Sequence, residues 1–564
     1  MSGATAFLAA CRAGDSSSSS SKPSAASTQA AAATQQALKG LQLVGRTYLN
    51  NTPDFTLEPK SGGTFRYGFN ADPPHLDPAL TSSFAMHAAV TPVYNRLMRG
   101  KWANELNPFD PWKVDVTGDL AQSYEIADPQ TYTFKLNPGV TFHNVAPVNG
   151  REMTSEDVKY SYNRYATTGV WTDSFKVIDR IDTPDKNTVT IKLKEPAAYF
   201  LTSPLAENAI LIHPRELVEA DGDLKKRAIG TGPFVLKEYT PKTRLVWEKN
   251  PNYFRKGKPY LDRMEWALVP DLAALVAGYR TGQFESVAGG IQRNEIDGLL
   301  KTNPDAVVSI SDPNFSTFQW AFRLDKPPFN DVRVRRAFSM GFDRQVMIKS
   351  GNQGDGAVTT NFPFNEIFDK QPQPNDFGPY YQYNPSEAKK LLEAAGYGAG
   401  FDCPADYYVY ATYLTSWIQI AEQQLAPLGI KLKINAPEYT TWVERFLAGN
   451  YEMSALGFNS PNVVEMDSWT YLYMYSKSPK NAWHINDPQI DALCEAQRRE
   501  LDRGKRQAIW KQLWDKELDQ VYRPSVPAAR GIGFHSPKLH NVLPNQAHQW
   551  PTYGNAMSEV IWMG

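Results

Sequence analysis

The stretch TYTFKLNPGVTF (131–142), followed by TSEDVKYSYNRY (154–165), sets the structural class of this chain. The first alternates apolar and polar residues, and reads as a strand, a turn at Pro138-Gly139 and a second strand. The second places Thr154 three residues before Asp157, an acidic variant of the capping-box spacing, and reads as a helix from there on. The same interleaving runs through the chain. GGTFRYGFN (62–70) is a strand that breaks at ADPPHLDP, because proline cannot donate to a ladder. NTVTIKLKEP (187–196) is another, ended by Pro196. NDVRVRRAFSMGFDRQVMI (330–348) and NPSEAKKLLEAAGYG (384–398) read as capped helices, the latter closing on Gly396. Strands and helices mixed in this way predict an α/β fold, and no internal repeat stands out.

About five hundred residues beyond residue 60 exceed a single core, so two or three domains are expected. No apolar run approaches the ~20 residues of a membrane-spanning helix. The formal charge is −1, from 59 basic and 60 acidic side chains, so no overall basic field attracts nucleic acid. Aromatic residues make up 12%, a density suited to ligand recognition. The three cysteines, Cys11, Cys403 and Cys494, form neither a disulfide framework nor a C-x-x-C pair. Cys11 stands in ATAFLAACRAGDSSSSSSK (4–22), where Leu8-Ala9-Ala10 resembles the end of a lipoprotein signal. Residues 1–11 are therefore expected to be a partial signal, with Cys11 lipidated. Residues 12–61, rich in Ser, Ala, Gln, Thr and Gly, are expected to be a disordered tether. Together they place the protein outside the cytoplasm, anchored to a membrane by lipid.

Eight segments in order carry a resemblance: GGTFRYGF…DPPHLDPAL, VYNRLMRG, DLAQSYEIADPQTYTFKLNPGVTFHN, VNGREMTSEDVKYSYNR, IGTGPFVLKEY…LVWEKNPNYFRKGKPYLDRMEW, PPFNDVRVRRAFSMGFDR, NPSEAKKLLEAAGY and AEQQLAPLGIKLKI. The chain, from about residue 62 to 564, resembles the family 5 extracellular solute-binding proteins of ABC importers, the oligopeptide, dipeptide and nickel-binding group. The resemblance implies two lobes joined by a hinge, a ligand enclosed between them and an extra subdomain on the first. Mapped here, lobe one takes residues 62–312 and 525–564 with the subdomain near 96–229, and lobe two takes 313–524. Closure on a ligand turns affinity into a shape change that an ABC permease can read. A monomer carrying a peptide-like small solute is the expected form, with no cofactor. The G-x-S-x-G and H-E-x-x-H patterns are absent, so no catalytic residue is assigned. An adhesion or scaffold role also suits an anchored protein with a long arm, but needs no ligand-dependent closure.

For the site, the resemblance implies a lobe-one loop, SSFAMHAAV (82–90), with Phe84, Met86 and His87 facing the cleft. From lobe two come Trp320 and a helix opening with Tyr413 and Trp417, whose first N–H groups favour anions. The stretch 437–475 adds Trp442, Phe458 and Trp469 as walls, with core packing the alternative for each aromatic. Peptide binders of this family follow their Gly-aromatic pair with an aspartate for the peptide's amine. Here GFNSPNVVEMDSW (457–469) offers Asn459, Pro461 and Asn462 instead. Glu465 and Asp467 lie next and could receive a desolvated cation, with a surface position the alternative. IGTGPF (229–234) lacks the Walker pattern and reads as a turn, GYGAGF (396–401) as a helix stop, and VRVRRAF (332–338) as a solvated, ion-paired face. His535, His540 and His548 match no metal-ligand spacing, so no metal is expected.

Overall fold

The computed structural model describes residues 42–44, 47–50, 54, 56–81, 83–101, 116–287, 291–313, 315–409, 412–437, 439–458, 465–542 and 555–564. Three larger sheets organise them. The largest has nine strands, in the order 42–44, 47–49, 307–311, 531–535, 286–287, 64–69, 263–268, 244–249 and 234–240. Its strand Thr64–Phe69 pairs in parallel with two neighbours, Arg263–Leu268 and Ser286–Val287. Tyr67 and Phe69 bury their rings against Trp266, whose ring lies 4.7 Å from that of Trp247, and Phe65 packs on Tyr67. The IGTGPF turn feeds the strand Phe234–Thr240. Its glycines are needed for close approach, since a Cβ on Gly230 would stand 2.2 Å from the Val93 carbonyl oxygen.

The second sheet is antiparallel, in the order 121–128, 131–136, 188–193 and 178–185. The helix Ser155–Thr167 starts on the Thr154/Asp157 capping box and buries Val158, Tyr162 and Tyr165 in the core of this unit, with Phe134 and Ile191. The strand after the Pro-Gly turn does not form in full. Thr141 makes a single bridge to Glu152, and Phe142 N–H donates to Arg151. The Pro147–Gly150 turn brings the chain back at once, so residues 140–142 bond to 151–153 instead of extending a ladder.

The third sheet, in the order 318–322, 454–458, 401–406 and 430–435, is flanked by helices Val332–Met340, Pro385–Ala394 and Thr412–Leu425. The expected helix over 330–348 stops at Met340 and restarts at Arg344. Gly341 allows the close approach of Leu425, whose Cδ2 would lie 2.6 Å from a Cβ there. Asp343 then caps a new turn by accepting from the N–H groups of Gln345 and Val346. The basic face of this helix is only partly solvated. Arg333 and Arg336 pair with Asp331 and Asp519, whereas Arg335 is buried and donates to the carbonyls of Gln520, Phe329 and Asn330. Gly396, with φ +85°, ends the following helix as expected.

The chain leaves the nine-stranded sheet after Ser311, builds the body around the third sheet, and returns at Gly531. At the crossing, Trp320 N–H donates to Pro524 and Arg344 Nε to Ser525, while Arg530 Nε reaches Asp312 Oδ1 at 2.7 Å.

The tether expectation needs correction. Residues 42–44 and 47–49 pair as a hairpin, and the latter strand adds to Val307–Ser311 at the sheet edge. Leu49 is buried, and Asn50 Oδ1 accepts from Val308 N–H while its Nδ2 donates to Ala306. The backbone of Thr47–Leu49 pairs with an otherwise open sheet edge, a local feature that the average composition of 12–61 conceals. Among the described residues no helix is long and apolar enough to cross a membrane. Cys11 lies outside the described residues, and Cys403 and Cys494 are buried and free.

Candidate functional site

The body of the second sheet and the body of the third meet along a polar seam. Thr202 Oγ1 donates to Glu465 Oε2 at 2.7 Å, Ala198 N–H donates to the Arg498 carbonyl at 2.8 Å, and Arg499 Nε donates to Glu195 at 2.7 Å. The Arg498 guanidinium lies 4.2 Å from the Tyr199 ring and 3.8 Å from that of Tyr471, so one cation binds aromatic faces from both bodies.

Glu207 and Lys480, one from each body, feel each other's charge without forming an ion pair. Glu207 lies in a turn in which its N–H donates to Pro204. It is 3% exposed, and its Oε1 has no partner among the described residues. Burial pushes its carboxyl up to about 7, opposed by the Lys480 charge and the amides of Ala209 and Asn208. Lys480 is half-buried, and desolvation pulls its ammonium below the ordinary value, opposed chiefly by Glu207. Its Nζ sits 5.1 Å from the Trp171 ring. Trp171 donates its indole N–H to Pro78 at 2.9 Å, which fixes the ring. His87, on the short helix Phe84–Val90, is fully buried with its ring 6.3 Å from Trp171. Neither of its nitrogens has a partner among the described residues, and burial drives it down to about 3, leaving a neutral imidazole with one donor and one acceptor.

The expected site residues fall into several groups. His87 reaches the neighbourhood of Trp171, while Met86 packs into the core of the nine-stranded sheet. Phe84 opens the helix and Phe458 closes the strand Ser454–Phe458; their side chains lie outside the described residues. Trp320 and Trp417 are packing residues of the third sheet's core. Trp320 meets Phe338 edge-on at 5.0 Å, and Trp417 covers Gly351 and donates to the Met347 carbonyl at 2.8 Å. Tyr413 lies 4.7 Å from Trp417. Trp442 and Trp469 share a different cluster: Trp442 stacks on Phe446, and Trp469 meets Phe315 at 4.2 Å.

Glu465 and Asp467 are not surface acids, and neither is free for a ligand's cation. Glu465 pairs with Arg506 at 2.6 Å while capping the helix Met466–Met474, and Asp467 pairs with Arg498 at 3.0 Å and accepts from Gln497 at 2.6 Å. Buried carboxylates require such partners, and the helices Pro488–Arg499 and Arg503–Gln520 supply them. Asn459, Pro461, Asn462 and His548 lie outside the described residues. Among those described, no cluster of three or more His, Cys, Asp or Glu could hold a metal. His535 is buried, and His540 stacks on Trp562 at 3.9 Å. Sequence reading missed Trp171, Glu207 and Lys480, which sit in unpatterned turns where a lone acid or lysine gives no signal.

Two bodies linked by crossing strands, with an additional sheet unit beside the first, make this a two-lobed binding protein of the periplasmic type. That architecture aligns with a solved periplasmic binding protein, DppA from Helicobacter pylori in complex with the peptide STSA, at a TM-score of 0.77 and 22% identity, covering 89% of this chain and 98% of that one. The profile of bacterial extracellular solute-binding proteins, family 5 middle, matches residues 115–483, and the chain belongs to that family. Among curated relatives, heme-binding protein A of Haemophilus influenzae is 26% identical over 506 residues, 84% of this chain and 88% of the relative. Di/tripeptide-binding protein 2 of Pseudomonas aeruginosa is 27% identical over 497 residues, 81% and 87% respectively.

Proposed function

We propose that this protein is the lipid-anchored substrate-binding component of an ABC importer, taking a peptide-like solute between its lobes and delivering it to the permease. The observation that carries the reading is the seam itself. Among the described residues both ring nitrogens of the buried His87 and Oε1 of the buried Glu207 have no partner, and from the opposite lobe the half-buried Lys480 rests on the Trp171 ring, next to contacts that hold the lobes together. Buried polar groups in native proteins are normally satisfied, so unsatisfied ones in a cleft suit a missing guest. The lobes in this reading are 62–312 with 525–564, including the subdomain near 96–229, and 313–524. Cys11 is the anchor. Peptide is favoured as the solute class because a relative is named for di- and tripeptides and a solved relative holds a peptide.

Native mass spectrometry of the purified protein, followed by denaturing extraction, tests the reading. A co-purifying peptide is the expected result. A protein that arrives empty and is stabilised by no peptide, sugar or metal chelate returns the choice to the scaffold alternative.

A further inference from the structure

At residue 530 the returning chain changes partners. Before it, Ala528–Ala529 pairs with Gly356–Ala357 of the second body, and after it Gly531–His535 pairs with Val307–Ser311 of the nine-stranded sheet. The registers Ala529↔Gly356 and Gly531↔Ser311 set an acid beside each end of this junction, Asp355 from one body and Asp312 from the other. The buried side chain of Arg530 lies between them.

The arginine does not serve the two acids equally. Asp312 Oδ1 accepts from Arg530 Nε at 2.7 Å, whereas Asp355 Oδ1 stands 3.8 Å from Arg530 Nη1, which donates to the Gly354 carbonyl at 3.2 Å. Asp355 is 2% exposed, and neither of its carboxylate oxygens has a hydrogen-bond partner among the described residues. The other charges that reach it, Arg293 and Asp297, pair with each other at 3.1 Å on the helix Arg293–Thr302. The better-solvated acid thus holds the arginine, and the deeply buried one goes without a hydrogen bond. Such burial is costly, so a movement about residue 530 that carries Asp355 onto the guanidinium is favoured by relief of that cost.

We infer that Arg530 and its two acids form a charge switch at the hinge: Asp312 holds the guanidinium while the bodies meet along the seam, and Asp355 takes it when they part. Two alternative pairings of one cation divide the motion into two discrete arrangements. The switch goes beyond the solute-binding reading and rests on the two-body architecture alone. It sets the resting balance between the arrangements, and so scales the affinity for every solute alike.

Hydrogen exchange on the solute-free full chain reads this balance at the Ala198 amide, whose 2.8 Å bond to the Arg498 carbonyl crosses the seam and breaks when the bodies part. The Leu193 amide, bonded to the Gln130 carbonyl within one body, is the internal control. Asp312→Asn should speed Ala198 exchange by about tenfold or more and Asp355→Asn should slow it by a similar factor, as loss of one charge-assisted contact implies. Leu193 should keep its wild-type rate in both. In an Arg530→Gln background, Asp355→Asn should no longer change the Ala198 rate. Shifts of the same sign, an unchanged rate in either single variant, or a slowing that persists without Arg530 overturns the switch. Equal shifts at Leu193 and Ala198 report a general change in stability and overturn it as well. If Asp312→Asn does not fold, Asp355→Asn decides by itself: slower exchange at Ala198 alone upholds the switch, and any other result overturns it. None of these rates depends on a solute, so a protein that binds none fails the solute-binding reading without altering this test.

Discussion

Two sets of charges share one interface, and they behave in opposite ways. Glu465 and Asp467 have arginines within 3.0 Å, a helix N–H group and the Gln497 amide around them, whereas Glu207 has backbone amides, Lys480 has the Trp171 ring, and neither has an ion pair. The first set is architecture, fixing the start of the helix Met466–Met474 against the two helices that follow it. The second set forms no ion pair, and an acid perturbed by burial in this way is a candidate for a site. Glu465 and Asp467 open a helix while Glu207 and Lys480 sit in turns, and the two sets differ above all in their partners.

Removing an arginine makes the paired set resemble the unpaired one. Arg506→Met strands Glu465 in a buried position and should cost about 3–5 kcal/mol of stability, read by urea unfolding. A loss under about 1 kcal/mol would mean that the paired set is no more structural than the other. Glu207→Gln should move stability the other way. A carboxyl raised to about 7 holds its proton longer in the folded state than in the unfolded one, so folding stability falls as pH climbs from the ordinary carboxylate range through 7. The variant, which has nothing to ionise, should exceed the solute-free wild type by on the order of 1–3 kcal/mol at pH 8, and the gain should vanish near pH 4. A gain that is flat with pH would refute the origin given for it. The smallest effect belongs to Arg499→Ala. Its partner Glu195 is half-exposed like itself, and thermal melts should shift by no more than the ~0–1 kcal/mol of a surface pair.

Sequence reading recovered most of the fold because its signals are local. The Thr154/Asp157 box, the strand Thr188–Leu193 and the stop at Gly396 each state their structure within a few residues. The failures were also local in cause. The hairpin at 42–49 was hidden by averaging over a polar segment, and the break at Gly341 depends on Leu425, which is far away in sequence. Site prediction fared differently. His87 was singled out only through the family resemblance, and whether Glu465 is free is decided by an arginine contributed from a helix elsewhere. Trp320 and Trp417 show the same ambiguity, since aromatic content does not tell a wall from a core.

The strand Gly531–His535 lies inside the nine-stranded sheet, hydrogen-bonded to Val307–Ser311 on one side and to Ser286–Val287 on the other. The sheet therefore has a missing slat until residue 535 has left the ribosome, with the edges of both neighbours open in the meantime. The first body cannot finish folding before that strand is made, unlike a unit built from consecutive segments. Its completion waits for the whole of the second body to be made. A chain bound for export across a membrane gains from that delay, because the largest sheet stays unlocked while the polypeptide is still being threaded.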